Sequence, residues 1–269
     1  MRYNRIYSGG IVLMDVKRQI QEYWDWRSSS YINGVTGLVD EERDIWKRYL
    51  SSCLGTQRLK VLDVGTGRGF LALLLAELGH EVTAVDISQS MLDEAEKEAG
   101  SRGLDVKFMK CDAENLPFHD ETFDIVVNKY LLWTLPEPDK ALSEWNRVLS
   151  SENGKVIAID GNWFDPAPSK KLKRWLTRVI RSFGVTDRKN SNKSTDKFSQ
   201  HYSQFSHDLP LYLDVKPDSV KLLFERTGFS QIDITDIPEI QKYNLSKLHP
   251  LLRLLNTDSV FVVIANRKA

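Results

Sequence analysis

Apolar residues along this chain fall into short continuous runs that alternate with runs at helical spacing. Lys60–Val64, KVLDV, is a buried-type strand ending beside a carboxylate. After the turn Gly65–Gly69, Leu71, Leu74, Leu75 and Leu78 are spaced 3, 1 and 3 apart, the period of a helix face, and Gly79 ends that helix. Glu81–Val85 predicts a second strand closed by Asp86. Ser88 is placed to cap a helix through Met91, Leu92, Ala95 and Ala99 to about Arg102. Val106–Met109 and Phe123–Val127 predict the third and fourth strands, and Ala141, Leu142, Trp145, Val148 and Leu149 the helix that follows. Lys155–Ile159 predicts a fifth strand, ending at Asp160. Strands apolar on both faces and separated by helices specify a parallel sheet covered on both sides.

The rhythm breaks over Gly161–Asp214, where strand signal is weak. It resumes with a helix at Ser219–Arg226, preceded by Pro217, and strands at Phe229–Asp236 and Val260–Ala265. An insertion of about 50 residues therefore interrupts the sheet. The first 58 residues lie outside it and predict helices, with a stripe at Ile20, Tyr23 and Trp24. No internal repeat is present.

Composition narrows the class. The 269 residues are 41% hydrophobic and 28% charged, as in a globular protein, and no run approaches the ~18 apolar residues of a membrane span. Lysine plus arginine equals aspartate plus glutamate, 37 each, which argues against a dedicated nucleic-acid binder. The zero sum hides a dipole: Glu81–Asp124 carries 12 acidic against 4 basic residues, and Ser169–Ser199 carries 10 basic against 2 acidic. The two cysteines, Cys53 and Cys111, form no CxxC, and the five histidines form no HExxH, so no metal site is expected. With no secretory leader this reads as cytoplasmic. Met14 is a second candidate start, which would leave Met1–Leu13 as a leader.

The chemistry concentrates at VLDVGTGRGF, 61–70. Gly65, Gly67 and Gly69 stand between a strand and a helix, where glycine admits positive φ and lets a ligand approach the backbone. Asp86, at the end of the next strand, is placed to accept both hydroxyls of a ribose. The dinucleotide fingerprint needs its third glycine one residue later, where Phe70 stands. Asp63, two residues before the first glycine, suits a ligand with a cationic centre better than a pyrophosphate. A nicotinamide-dependent oxidoreductase is disfavoured on both counts.

VLDVGTGRG, AVDIS (84–88), CDAENLPF (111–118) and FDIVVNKYLLWTL (123–135), in this order and spacing, resemble the class I S-adenosylmethionine-dependent methyltransferases, in the type 11 group that includes ubiquinone/menaquinone C-methyltransferases. The resemblance covers about 55–160. It implies an α/β, Rossmann-like doubly wound, mostly parallel sheet. A helical N-terminal cap (1–58) and a basic lid (163–214) would flank a cofactor domain made of 59–162 and 215–269. It implies S-adenosylmethionine as cofactor, with Asp63 near the methionine amino group and Gly65, Thr66 and Gly67 presenting backbone to methionine and ribose. Asp86 would hold the ribose, Ile87 and Met91 would pack on adenine, and Asp112 and the Ala113 N–H would read its edge. Asn128 would lie beside the reactive methyl, and Tyr23, Arg27 and Tyr31 would close over the whole.

The acceptor side is less legible. Methyl transfer from a sulfonium is an in-line displacement that needs alignment more than catalytic groups. Asn128-Lys129-Tyr130-Leu131 lacks the two prolines common in nucleobase and glutamine methylases, which disfavours those acceptors. Lys129, Trp133, Asp160 and Trp163 are candidate acceptor contacts, and Asp160, Tyr130 and His201 are candidate bases. Each also has a purely structural reading: Asp160-Gly161 as a turn, Trp133 as core, Lys129 as a solvated side chain. Leu172, Trp175, Leu176, Val179, Ile180 and Phe183 recur at helical spacing among Lys170, Lys171, Lys173, Arg174, Arg178 and Arg181. This basic amphipathic helix suits a docked lid, a membrane-surface contact through 170–183, or an acidic partner. The function expected is methyl transfer to a small or medium-sized acceptor, with nucleic acid disfavoured. The alternatives are a non-catalytic cofactor-binding module that regulates a partner, and a protein or RNA methyltransferase using the basic lid.

Overall fold

A computed structural model describes residues 9–31, 40–162, 165–185, 201–202, 204–213 and 215–268. Two helices, α1 (Gly9–Arg27) and α2 (Asp40–Leu54), precede the sheet. There follow β1 (Lys60–Val64), α3 (Phe70–Glu77), β2 (Glu81–Asp86), α4 (Gln89–Ser101), β3 (Lys107–Lys110), β4 (Ile125–Lys129), α5 (Pro138–Val148) and β5 (Lys155–Gly161). The remainder is α6 (Pro168–Ser182), α7 (Pro217–Arg226), β6 (Phe229–Asp236), α8 (Pro238–Lys247), α9 (Pro250–Arg253) and β7 (Val260–Arg267).

The seven strands lie in the order β3-β2-β1-β4-β5-β7-β6. β1 to β5 are mutually parallel, and β7 runs antiparallel between β5 and β6. The order reverses across β1 and β4, so their carboxyl ends open the crevice in which such sheets bind ligands. Period-two alternation gives the sheet two cores. Leu62, Val64, Val85 and Val126 pack on one side with Trp145, Leu223 and Phe224; Val61, Val82, Ile125 and Val127 pack on the other with Trp46, Leu71 and Leu74. The N-terminal helices join these cores, Val16, Ile20 and Tyr23 of α1 on the first side and Ile45, Trp46 and Leu50 of α2 on the second.

Several strand limits differ from the sequence pattern. β4 begins at Ile125, because Asp124 is engaged with the start of β1: its carboxylate accepts the Lys60 N–H at 2.8 Å and its own N–H donates to the Lys60 carbonyl. Phe123 keeps only an isolated bridge to Leu149. β5 runs on to Gly161 because β7 pairs with it as far as Val260. Helices α8 and α9 were not expected, although Pro238 and Pro250 sit in their first turns, where proline serves as a start signal. Ser88 does cap α4, its Oγ accepting the Met91 N–H at 3.2 Å, a contact that typically contributes about 1 kcal/mol.

Candidate active site

At the carboxyl ends of β1, β2 and β4 a cavity of about 1150 Å³ opens beneath α1, α6 and α8. Its floor is the glycine turn. Gly65, Gly67 and Gly69 all have positive φ, at 68°, 55° and 80°. A Cβ on Gly65 would meet Leu131 Cδ1 at 2.7 Å and one on Gly69 would meet Ala95 Cβ at 3.1 Å, whereas one on Gly67 would meet nothing within 4 Å. Gly67 thus turns its bare face to open space, as close approach of a ligand to backbone requires. The turn is clamped from both flanks. Asp63 Oδ2 accepts the Thr66 hydroxyl at 2.6 Å and the Ala72 N–H at 3.0 Å. Asp86 Oδ2 accepts the Gly67 N–H at 2.8 Å, and its Oδ1 accepts the Ser88 N–H at 2.9 Å. The Ile87 N–H also acts on this carboxylate, and with about four acceptor positions in all Asp86 retains capacity for a ribose hydroxyl. Burial raises both acids, Asp63 to about 7 and Asp86 to about 6.

Asp112 Oδ1 accepts the Glu114 N–H at 2.9 Å, forming a tight turn rather than capping a helix. Its Oδ2 accepts Lys17 Nζ from α1 at 2.7 Å, and Lys17 also pairs with buried Glu114. Burial pulls the Lys17 pKa down, but hydrogen bonds to Asp112 and Glu114 outweigh it, and the ammonium sits above its usual range. Asp25 of α1 accepts the Ser88 hydroxyl and the Ser90 N–H, and Arg68 donates to the Tyr31 carbonyl at 2.8 Å. Helix α1 and Tyr31 are therefore fastened to the same loops that form the cavity wall. Neither Lys17 nor Glu114 was singled out from sequence; both lie on runs whose patterns look like ordinary helix and loop.

Tyr23, Arg27, Tyr31, Asp63, Gly65, Thr66, Gly67, Asp86, Ile87, Met91, Asp112 and Ala113 all line this one cavity. Asn128 does not. Strand alternation turns it to the face opposite Lys129, and it is fully buried, its side-chain atoms without hydrogen-bond partners among the described residues. Lys129, Tyr130 and Trp133 are on the wall. Lys129 Nζ is buried without a hydrogen-bond partner among the described residues, 4.0 Å from the Tyr130 ring centroid and 4.7 Å from that of Phe70. Burial lowers it to about 8, against the pull of Glu42 and Asp63. Tyr130 has φ of 63°, unusual for an aromatic residue; its N–H donates to the Ile159 carbonyl at 2.7 Å.

Two candidates are displaced from the wall. Asp160 is fully buried and spends both oxygens on backbone, accepting Leu132 N–H at 3.1 Å and Gly161 N–H at 2.7 Å; it fixes the turn that carries Tyr130 and Trp133 and does not face the cavity. His201 stacks on Tyr23 with centroids 4.8 Å apart, and its Nε2 lies 3.2 Å from the Gln19 carbonyl, so it braces α1 from outside. Trp163 lies outside the described residues. The sequence reading passed over Glu42 and the α8 face, with Gln241, Asn244 and Leu245, which also line the cavity.

A glycine turn clamped by two buried acids, at the crevice of a sheet of this order, fits an adenosyl sulfonium: backbone donors and open space at Gly67, residual acceptor capacity at Asp86, and a carboxylate at Asp63. The fold and site define a class I S-adenosylmethionine-dependent methyltransferase. Residues 62–158 match the family model described as a methyltransferase domain. The chain is 30% identical over 197 residues to the ubiquinone/menaquinone biosynthesis C-methyltransferase UbiE of Idiomarina loihiensis, covering 70% of this chain and 74% of that protein. It is 30% identical over 225 residues to the demethylmenaquinone methyltransferase of Staphylococcus haemolyticus, covering 81% and 88%. In fold it is similar to a SAM-dependent methyltransferase from Aquifex aeolicus (TM-score 0.52, 18% identity, 82% and 89% covered). It is also similar to geranyl diphosphate C-methyltransferase from Streptomyces coelicolor A3(2) (TM-score 0.59, 15% identity, 94% and 98% covered). The chain belongs to the UbiE-like family of methyltransferases, and it transfers a methyl group from S-adenosylmethionine to a small molecule.

Proposed function

We propose that the two halves of the cavity divide this reaction between them, and that the acceptor atom is carbon. Asp63, Gly65, Thr66, Gly67, Asp86, Ile87, Met91, Asp112 and Ala113 hold the cofactor, with Tyr23, Arg27 and Tyr31 closing over it as part of the 1–58 cap. The bound cofactor supplies an electrophilic methyl on a sulfonium. Asp86 orients its ribose through the two oxygens that Gly67 and Ser88 already fix. Lys129, Tyr130 and Trp133 meet the acceptor where the cavity passes from the cofactor half to the region under α6 and α8. A carbon acceptor must lose a proton after methylation, and the neutral amine of Lys129, whose population grows as pH rises toward about 8, receives it. The observation that carries this reading is the single continuous cavity joining the Gly67–Asp86 clamp to Lys129. The names of the curated relatives, C-methyltransferases of quinone biosynthesis, support carbon as the acceptor atom. Calorimetric titration with S-adenosylhomocysteine and radiolabelled methyl transfer to a panel of carbon acceptors, a demethylated naphthoquinol and unsaturated amphiphilic anions among them, test it. Binding without transfer would move the reading to a regulatory cofactor-binding module.

Contact with a lipid surface belongs to the same proposal. None of the α6 side chains is buried, and Leu172, Trp175 and Phe183 are 57%, 57% and 82% exposed. They form one stripe, with Lys171 and Lys173 flanking it at either side of the helix, the layout of a helix lying in a membrane interface. Co-sedimentation with phosphatidylglycerol vesicles, lost in a Trp175→Gln, Phe183→Gln variant, supports this; equal recovery of both proteins removes it. The free cysteines Cys53 and Cys111 suit a reducing, cytoplasmic setting.

A further inference from the structure

An amphipathic helix on a globular protein normally turns its apolar stripe inward. Helix α6 is mounted the other way. Arg174, Thr177, Arg178 and Arg181 line the cavity while Leu172, Trp175 and Phe183 face out. Spacings of four and three residues place the three arginines on one side of the helix. Arg174 is half-buried at the cavity, Arg178 and Arg181 stand exposed at its mouth, and a guanidinium drawn out of water there needs an acceptor.

Arg174 Nη2 donates to the Asp165 carbonyl at 2.6 Å, but its Nη1 is buried with no hydrogen-bond partner among the described residues. Lys170, on the same side of α6, is 3.0 Å from Asp165, and those two charges offset each other. Asp258 is the acid facing the cluster from beyond α9, where it feels Arg174 and Arg181. Glu42, the other acid of this half, sits with Lys129. Among the described residues Asp258 is the carboxylate that answers these guanidinium groups, and Arg174 Nη1 keeps a buried donor for a further acceptor. The wall opposite is built from Leu245, Leu248, Leu252 and Leu255. A chamber with an arginine-lined end and a leucine-lined side is shaped for a molecule with one oxyanion end and an apolar body.

We propose that the outer half of the cavity is an acceptor subsite for an amphiphilic anion, whose carboxylate or phosphate head is held by Arg174, Arg178 and Arg181 and whose apolar body lies along Leu245, Leu248, Leu252 and Leu255. Arginine suits this because its planar fork matches either oxyanion with paired hydrogen bonds. With the head anchored under α6, the body points toward Lys129 and the cofactor half, so the atom methylated lies in the apolar part of the molecule and not in the head. This inference rests on the methyltransferase reading and deepens it.

The test uses the full chain saturated with S-adenosylhomocysteine and titrated calorimetrically with octanoate, octyl phosphate and 1-octanol. At least one anion should bind about tenfold or more tightly than octanol, the minimum expected of one charge-assisted contact. Arg174→Gln, Arg178→Gln and Arg181→Gln together should remove that advantage, leave octanol binding unchanged, and leave S-adenosylhomocysteine affinity at the wild-type value, which also reports that the fold is intact. Octanol binding as tightly as both anions, or a triple variant that keeps the preference, overturns the inference. Failure of the wild-type chain to bind S-adenosylhomocysteine would instead strike the methyltransferase reading itself. If the triple variant does not fold, Arg178→Gln alone, on an exposed position of α6, is read in the same way, with about half the loss in binding free energy marking support and none marking refutation.

Discussion

The backbone N–H of Gly67 donates to Asp86 Oδ2 at 2.8 Å, joining the turn after β1 to the end of β2 across 19 residues of chain. This bond sets the two features that a ribose would meet, a bare backbone and a carboxylate, at one fixed separation. Gly67→Ala should therefore act on the ligand and Gly65→Ala on the fold. Both residues are left-handed, which costs an L-residue about 1–2 kcal/mol. Only the methyl at 65 also meets protein, Leu131 Cδ1 at 2.7 Å, while the methyl at 67 enters open space. Urea denaturation should find Gly65→Ala the less stable of the pair. Calorimetry should find that Gly67→Ala loses about tenfold or more in S-adenosylhomocysteine affinity.

Affinity for the cofactor should rise with pH between about 5 and 7. Burial holds Asp86 at about 6 and Asp63 at about 7, against about 4 for a free aspartate. In the free protein these raised values contribute stability that is full below pH 4 and is lost as pH rises through 6 and 7. Binding runs the other way. Ribose hydroxyls and an ammonium group both favour the ionised acids, so the ligand must expel protons at low pH. Each acid then weakens binding by up to tenfold per pH unit below its own value. Titration of S-adenosylhomocysteine from pH 5 to 8 reads this directly. In Asp86→Asn the remaining dependence should centre near pH 7, the position of Asp63; a flat wild-type profile would contradict the assignment of both.

Lys17→Met should destabilise the protein by about 3 kcal/mol, the low end for breaking a buried pair, since it leaves Glu114 charged in the interior beside Asp112. Adding Glu114→Gln should recover part of the loss. Chemical denaturation of the two variants distinguishes this from simple loss of packing on α1, for which the second substitution would add a further loss.

Lys129→Met should separate stability from function. Alone it would leave buried Glu42 without its cation, so it is made together with Glu42→Gln, since removal of both partners is commonly neutral or stabilising; Lys129 has no hydrogen bond among the described residues to lose. The melting temperature of the double variant should hold within a few degrees, while its rate of methyl transfer falls about 10²-fold or more, as for loss of a proton acceptor, and Glu42→Gln alone keeps the rate. Equal losses in both would make Lys129 a structural residue.

How much of this was legible in the sequence follows the range over which each signal acts. The glycine turn, Asp63, Asp86 and the cap at Ser88 depend on neighbours within a strand, a turn and a helix, and could be placed from local pattern. Asn128 and Lys129 were both visible as the end of a strand. Which of them faces the cavity depended on which face of β4 meets the crevice, and that is set by its pairing with β1 and β5 and by the helices mounted on each side. Asp160 was read as a contact because strand ends face the crevice, but its carboxylate is used by Leu132 and Gly161 N–H groups. Lys17, Glu42 and the inward arginines of α6 depend on how helices are mounted on the sheet, which periodicity does not specify.

The polar groups of the adenosine half have partners before any ligand arrives. Lys17 occupies Asp112, and Gly67 and Ser88 occupy Asp86. Loading the cofactor thus exchanges a partner only at Asp112, adds to bonds already in place at Asp86, and removes apolar wall such as Tyr23, Ile87 and Met91 from water. The loops need no rearrangement to receive it, and its thermodynamic mark will be a negative change in heat capacity.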